Sequence, residues 1–530
     1  MLHSLTCLGG MVTAPHHLAA QAGAAVLRDG GNAVEAMVAA AATIAVVYPH
    51  MNSIGGDGFW LIAEPGREPV AVRACGAAAG LASPDFYADH GDTVIPARGP
   101  RAALTVAGAV GGWAEALAVA ASWGTALPLS RLLAEAQSHA VRGVPVTRSQ
   151  VALTAAKWAE LRDVSGFAST FAAQGLPALH DTLNQPRLAQ TLAQLARAGL
   201  DDFYRGDLAR SMAADLEAVG SPLRLADLQA YRAQRVAALA LDLSVGRVYN
   251  QPPPTQGVAS LAILGIFDRL GVREAESFAH VHGLVESTKR AFLWRNAQVG
   301  DPLAMAARGI DPADFLAAAA LDAQALRIDR RQAAPWPQVA LPGDTIWMGA
   351  ADGQGRVVSY IQSIYWEFGS GVVLAQSGVN WQNRGASFSL SGGPNALVPG
   401  NLPFHTLNPA LARLNNGSVL AYGTMGGEGQ PQTQAAVFSR HAMFGQNLQA
   451  AITAPRWLLG RTWGDDSTHL KLESRTDPAL VDALRAAGHE VQLVEPFDDM
   501  MGHAGAVLIH AAGVLEGAAD PRADGLCAGF

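Results

Sequence analysis

The sequence predicts a mixed α/β (α+β) fold in which strands and helices form separate layers. Strand-like and helical stretches alternate along the whole chain. Gly, Pro and Asn punctuate the places where the period changes. Half of the 530 residues are hydrophobic and only 15% are charged, which suits a large buried core and excludes disordered or fibrous classes. No internal repeat interrupts this order.

Residues 17–49, HLAAQAGAAVLRDGGNAVEAMVAAAATIAVVYP, read as two helices split at Asp29-Gly30-Gly31-Asn32. The glycines close the first helix and Asn32 caps the second. The run AMVAAAATIAVVY is too short to cross a bilayer and reads as a buried core helix. SIGGDGFWLIAEPG then turns through glycines into a strand. From about residue 105 to 330 the period is helical and Ala/Leu-rich, broken by strand-like pieces such as ALALDLSVGRVYN. Near residue 332 the character changes. QAAPWPQVALPGDT is proline-rich and reads as an exposed, irregular segment. Strands follow in TIWMGAAD, RVVSYIQSIY, GVVLAQSG and SVLAYGTMGG, then helices in QTQAAVFSRHAMF, NLQAAITAPRW and PALVDALRAAG.

A formal net charge of -8 without a Lys/Arg-rich block argues against a nucleic-acid or anionic-membrane partner. Cys7, Cys75 and Cys527 are too scattered for a metal motif or a disulfide framework, a usage that suits a reducing cytosol. The opening MLHSLTCLGGMVTAPHH lacks the basic and apolar regions of a secretory signal. A cytoplasmic protein is therefore expected. No G-x-S-x-G elbow, Walker loop or H-E-x-x-H occurs, and GGDG at 55–58 lacks dinucleotide spacing. His280 and His282 would share a face on a strand, but their surroundings are helical. His16, His17 and His50 read as core or turn residues, so no metal site is expected.

The stretch LPGDTIWMGAADGQGRVVSYIQS, residues 341–363, reads as a hairpin. A three-residue loop Gly353-Gln354-Gly355 would pair Asp352 with Arg356. Counting back along both strands sets Thr345 opposite Ser363, within side-chain reach. Thr345 has a plain reading, a β-branched residue opening a strand. It also has a chemical one: an N-terminal Thr carries its own base in its α-amine, which requires a cut between Asp344 and Thr345. Downstream, SVLAYGTMGGEGQPQTQAAVF runs from a strand through Gly426-Gly427 into a helix. Consecutive N–H groups there are suited to holding an oxyanion, or simply make a Gly-rich turn.

Several stretches resemble the γ-glutamyltransferase family of N-terminal-nucleophile hydrolases, in order and across essentially the whole chain. They are residues 11–60, GDT with FGSGVVLAQSGVNWQN, PFHTLNPAL, GTMGGEGQPQT, APRW and GAADPRADGLCAGF. The resemblance implies a four-layer αββα sandwich. It also implies an inactive precursor that cuts itself before Thr345 by an N-to-O acyl shift and hydrolysis. The products would be a large subunit, 1–344, and a small subunit, 345–530, forming one globular unit without cofactor or metal, with a homodimer of the processed pair left open. By position Thr345 matches the nucleophile, Ser363 its supporting hydroxyl, and Gly426 and Gly427 the oxyanion-hole glycines.

The positions that recognise a γ-glutamyl group differ. The family's large-subunit Arg has no counterpart around RACGAAAGLASPDFY, where Ala82 or Ser83 falls. Its Asn becomes Tyr365, its Gln Arg384, its Asp Ser387, and its two serines His405 and Thr406. Without that Asp a substrate ammonium has no anionic partner, while Arg384 and His405 add positive or donor character. Substrate-binding roles are therefore expected for Arg384, Tyr365, His405 and Thr406, with Trp347 and Tyr365 restricting the acyl length. The expected function is amide hydrolysis of a small anionic substrate, such as oxamate to oxalate plus ammonia in purine (allantoin) degradation. The alternatives are a glutaryl- or cephalosporin-type acylase, a γ-glutamyl hydrolase or transferase, or an unprocessed, inactive binding protein.

Overall fold

Two seven-stranded antiparallel sheets face each other across an apolar layer. The computed structural model describes residues 3–124, 126–336, 344–460 and 467–530. The first sheet has the order Leu5–Cys7, Leu515–Ala519, Ala504–Ile509, Val419–Thr424, Ala410–Leu414, Gly246–Asn250, Leu239–Leu243. The second has the order Leu526–Gly529, Gly10–Ala14, Asp344–Asp352, Val357–Tyr365, Asp57–Ala63, Val70–Ala74, Gln234–Ala237. Met11, Phe59, Leu61, Trp347, Ile361, Leu411 and Val507 fill the space between them. Helices His17–Arg28, Ala33–Val47 and Ala109–Ala120 cover the outer face of the second sheet, and Gly257–Leu270, Phe278–Gln298 and Gln430–Phe438 cover that of the first. The implied αββα order is the observed one.

Local chemistry explains the elements. Asn32 Oδ1 accepts from the N–H groups of Val34 and Glu35, and the Glu35 carboxylate accepts from Asn32 N, a reciprocal cap. All 15 residues of the Ala33–Val47 helix are buried, as its apolar run predicts. Ahead of it, Gly30 supplies a left-handed turn (φ 90°).

Two expectations need correction. GVVLAQSG, residues 371–378, is no strand. Its chain turns back through Gly371 (φ 76°) and Gly378 (φ 69°), leaving one bridge from Val373 to Asn380. Its valines are buried in the core on the outer, helix-covered side of the second sheet, which mimics the apolar run of a strand. NLQAAITAPRW is helical only over Leu448–Thr453. Ala454 goes extended before Pro455, and the chain continues as the strand Trp457–Leu459. Half of the proline-rich stretch, 337–343, lies outside the described residues; 332–336 has neither helix nor strand, and 344–345 begin the strand Asp344–Asp352.

The hairpin keeps its expected register. Asp352 N donates to Arg356 O at 3.1 Å, and Gly355 occupies the left-handed position (φ 79°). Pairing runs from Ala351↔Val357 to Ile346↔Gln362, then slips, so that Asp344 faces Tyr365. Thr345 sits in that β-bulge, opposite Ser363 and Ile364 together.

Candidate active site

Thr345 is the second residue of the interior strand Asp344–Asp352 of the second sheet and is fully buried. Alternation along the strand puts it on the same face as Trp347, toward the first sheet. The indole of Trp347 needs glycines opposite it. A Cβ on Gly423 would lie 2.1 Å from the indole, and one on Gly505 2.5 Å. Gly349 lies against Val507, and Trp347 against Gly505 and Gly423. One further step of two residues brings Thr345 level with the start of the Gly426 turn. Trp347 itself belongs to the core beneath the site, donating to Ser359 Oγ at 3.0 Å, rather than lining a substrate cleft.

Gly426 and Gly427 form the turn into the helix Gln430–Phe438, both with positive φ (119° and 52°). The Gly426 carbonyl accepts from Gly429 N at 2.8 Å, which turns the Gly427 N–H, anti to it in a trans peptide, away from the helix. Thr424 Oγ1 holds the Met425 carbonyl at 2.7 Å and orients the Gly426 N–H in the same manner. Among the described residues neither N–H donates a hydrogen bond. Behind the turn, Gln256 Nε2 donates to the carbonyls of Gly427 (2.9 Å) and Thr406 (2.8 Å). Arg295, ion-paired with Glu428, donates to Gln256 Oε1 at 2.7 Å.

The Thr406 bond ties the remaining predicted residues to this turn. Arg384 is buried and donates to Phe404 O and Thr406 Oγ1, both at 3.2 Å. Its guanidinium lies 3.5 Å from the centroid of the Tyr365 ring, a stacked cation–π contact. Burial lowers its pKa to about 10, so it remains a cation at neutral pH. Tyr365 has φ 83°, a strained value for a residue with a bulky side chain, and its N–H donates to Ser363 Oγ at 2.8 Å. Ser387 Oγ donates to Phe404 O.

Sequence reasoning missed Asp57. It is the cross-strand partner of Ser363, so Thr345, Ser363 and Asp57 stand on three neighbouring strands facing the same layer. Asp57 Oδ1 accepts from Gly108 N (2.9 Å), Gln382 Nε2 (3.1 Å) and Gly76 N (3.3 Å). Its Oδ2 lies 3.0 Å from His405 Nε2, at angles outside a hydrogen bond. Burial pushes the Asp57 carboxyl up to about 7, against those bonds and the Arg384 charge. Burial, then Arg384, holds His405 well below its ordinary value, so it contributes a neutral imidazole rather than the positive charge its position suggested. The acid inside GGDG was the available signal.

Within the stretch beginning RACG, Arg73 stands on the strand Val70–Ala74. Arg73 is register partner to Phe59, whose ring lies 4.9 Å from that of His405. Arg73 donates to Pro253 O at 3.4 Å and to Gln234.

The other histidines are structural. His16 caps the His17–Arg28 helix, His50 contacts Ser149 Oγ, and His280 contacts Ser439 Oγ. His282, Glu286 and His489 lie close enough together to suggest a metal. However, His282 is engaged by His489 (2.9 Å) and the Asp329 carbonyl (2.7 Å), and Lys289 places its ammonium 2.7 Å from Glu286.

The layers, with a hydroxyl residue opening a central strand at their edge, define an N-terminal-nucleophile hydrolase. The chain belongs to the gamma-glutamyltranspeptidase family, whose profile matches residues 19–530. It is 54% identical, over 98% of both chains, to the oxamate amidohydrolase proenzyme of Klebsiella pneumoniae. It is 37% identical, again over 98% of both, to the glutathione hydrolase-like YwrD proenzyme of Bacillus subtilis. The crystal structure of cephalosporin acylase from Bacillus halodurans matches at TM-score 0.91 and 32% identity, covering 100% of this chain and 97% of that one.

Proposed function

We propose that this chain is a self-processing amidohydrolase with Thr345 as nucleophile and a small anionic amide, oxamate first, as substrate. The observation that carries it is a buried Thr in a strand-opening bulge, level with two glycine N–H groups that have no acceptor among the described residues. The 54% identity to an oxamate amidohydrolase proenzyme supports the substrate.

In processing, Thr345 Oγ attacks the Asp344 carbonyl, the acyl group shifts from N to O, and water hydrolyses the ester. This yields subunits 1–344 and 345–530 and frees the Thr345 amine. In turnover the amine takes the Oγ proton as Oγ attacks the amide carbon. Gly426 and Gly427 N–H groups stabilise the oxyanion. The amine then gives its proton to the departing ammonia, and water hydrolyses the acyl-enzyme to oxalate. Ser363 supports the nucleophile, and Arg384 binds the carboxylate with Tyr365, His405 and Thr406 around it. Cytoplasmic location and a place in purine degradation belong to the same reading. Among the described residues no helix is long and apolar enough to cross a membrane.

The test is a denaturing gel with N-terminal sequencing, beside ammonia release from oxamate. Two fragments, the smaller beginning at Thr345, and ammonia are expected; Thr345→Ala should give one uncut band and no turnover. A wild-type chain that stays whole would establish an inactive binding protein. Cleavage of glutaryl or γ-glutamyl anilides without ammonia from oxamate would establish an acylase or γ-glutamyl hydrolase.

A further inference from the structure

Three polar atoms meet in the buried wall of this site without a hydrogen-bond partner among the described residues: Asp57 Oδ2, His405 Nε2 and His405 Nδ1. Leaving such atoms unsatisfied is unfavourable. Asp57 Oδ2 is the only carboxylate oxygen in that condition among the described residues. The location is specific. Asp57 pairs across strands with Ser363, and His405 lies between Phe404 and Thr406, the two residues that Arg384 holds.

The 3.0 Å contact between Asp57 Oδ2 and His405 Nε2 becomes a hydrogen bond once the imidazole rotates into line, and a single proton on Asp57 Oδ2 then makes Nε2 the acceptor. The imidazole proton then resides on Nδ1. The pair carries no net charge in that state, so it offers no anion to a substrate ammonium, while Nδ1–H can donate to a carboxylate. Resting on the reading of this site as that of an anionic amide, we propose that Asp57 is a positioning residue that fixes His405 as an Nδ1–H donor, and that His405, with Arg384, binds the carboxylate of a short acyl group and selects against amines.

The titratable groups whose charges act together with Asp57 or His405 are Arg384, Cys75, Tyr204, Tyr231 and Tyr360. Burial raises the thiol and the phenols, and Arg384 stays cationic, so none of them changes charge near neutrality. The Thr345 amine of the processed enzyme does titrate there, and it is common to all the variants compared.

The experiment is calorimetric binding of oxalate to the processed enzyme across pH 6 to 9, with KM and kcat for oxamate alongside. His405→Leu should weaken oxalate and raise KM by at least about tenfold, with kcat changed less than about threefold. His405→Asn places an amide N–H near the Nδ1 position and should recover most of the loss. Wild-type affinity should fall above pH 7, as the pair loses its proton. Asp57→Asn, whose amide N–H replaces the carboxyl proton, should keep the affinity and extend it above pH 8. Equal oxalate affinity in wild type and His405→Leu, no oxalate binding by wild type, or loss of affinity in Asp57→Asn at all pH values would overturn the assignment. If His405→Leu fails to fold, His405→Asn and Asp57→Asn decide it. Absence of ammonia from oxamate in wild type would overturn the proposed substrate and leave the oxalate series to judge the pair.

Discussion

In the proposed function, anion selection rests on Arg384. Its fork is held by Phe404 O and Thr406 Oγ1 and stacked on Tyr365, contacts that need a planar guanidinium. Arg384→Lys should therefore restore little: KM for oxamate should rise about tenfold or more, measured by ammonia release, while gel processing at Thr345 persists. Asp57 adds a stability signature. Its folded pKa of about 7 exceeds the ordinary 3.8, so the folded state binds the extra proton between those values. Its effect is most favourable below about pH 4 and is lost as pH rises toward 7, at up to about 1.4 kcal/mol per pH unit. Asp57→Asn should remove that slope, so that its melting temperature relative to wild type rises between pH 4 and 7. The placement of Thr345, Ser363, Gly426 and Gly427 was legible because each sits in a local pattern of strand, hairpin or turn. The Asp57–His405 contact was not, because it joins distant segments through burial, and a lone acid or histidine has no period to read.

Two elements set the geometry, and both were largely legible. The hairpin register followed from its Gly-containing loop, and only the slip at Thr345 escaped, since bulges leave no mark in alternation. The Gly426 turn also followed from sequence, but its two positive φ values did not. Gly426 at φ 119° lies where an L side chain is strained, although the nearest atom to a new Cβ would be 3.5 Å away. Gly426→Ala should therefore act through backbone rotation rather than crowding, lowering kcat for oxamate at least about tenfold with an unchanged circular dichroism spectrum. Residues 371–378 are the opposite case: their apolar run reads as a strand, but left-handed glycines fold it into a turn.

At the scale of the molecule, the second sheet interleaves segments from both sides of the proposed cut. Asp344–Asp352 lies between Gly10–Ala14 and Val357–Tyr365, and the latter pairs with Asp57–Ala63. Cleavage at Asp344–Thr345 breaks one bond and leaves those ladders in place. Size-exclusion chromatography should accordingly show both fragments in a single peak without denaturant, separating only where the sheets unfold. The layered class was legible from alternating elements, whereas the strand order was not, because it joins residues near both chain ends.

That strand order also makes the site depend on segments far apart in the chain. Gly10–Ala14, which pairs with the strand carrying Thr345, is itself flanked by Leu526–Gly529, and Gly9 N donates to the carbonyl of Phe530 at 2.6 Å. The Leu526–Gly529 edge reaches Thr345 only through Gly10–Ala14, so it braces the site without touching it.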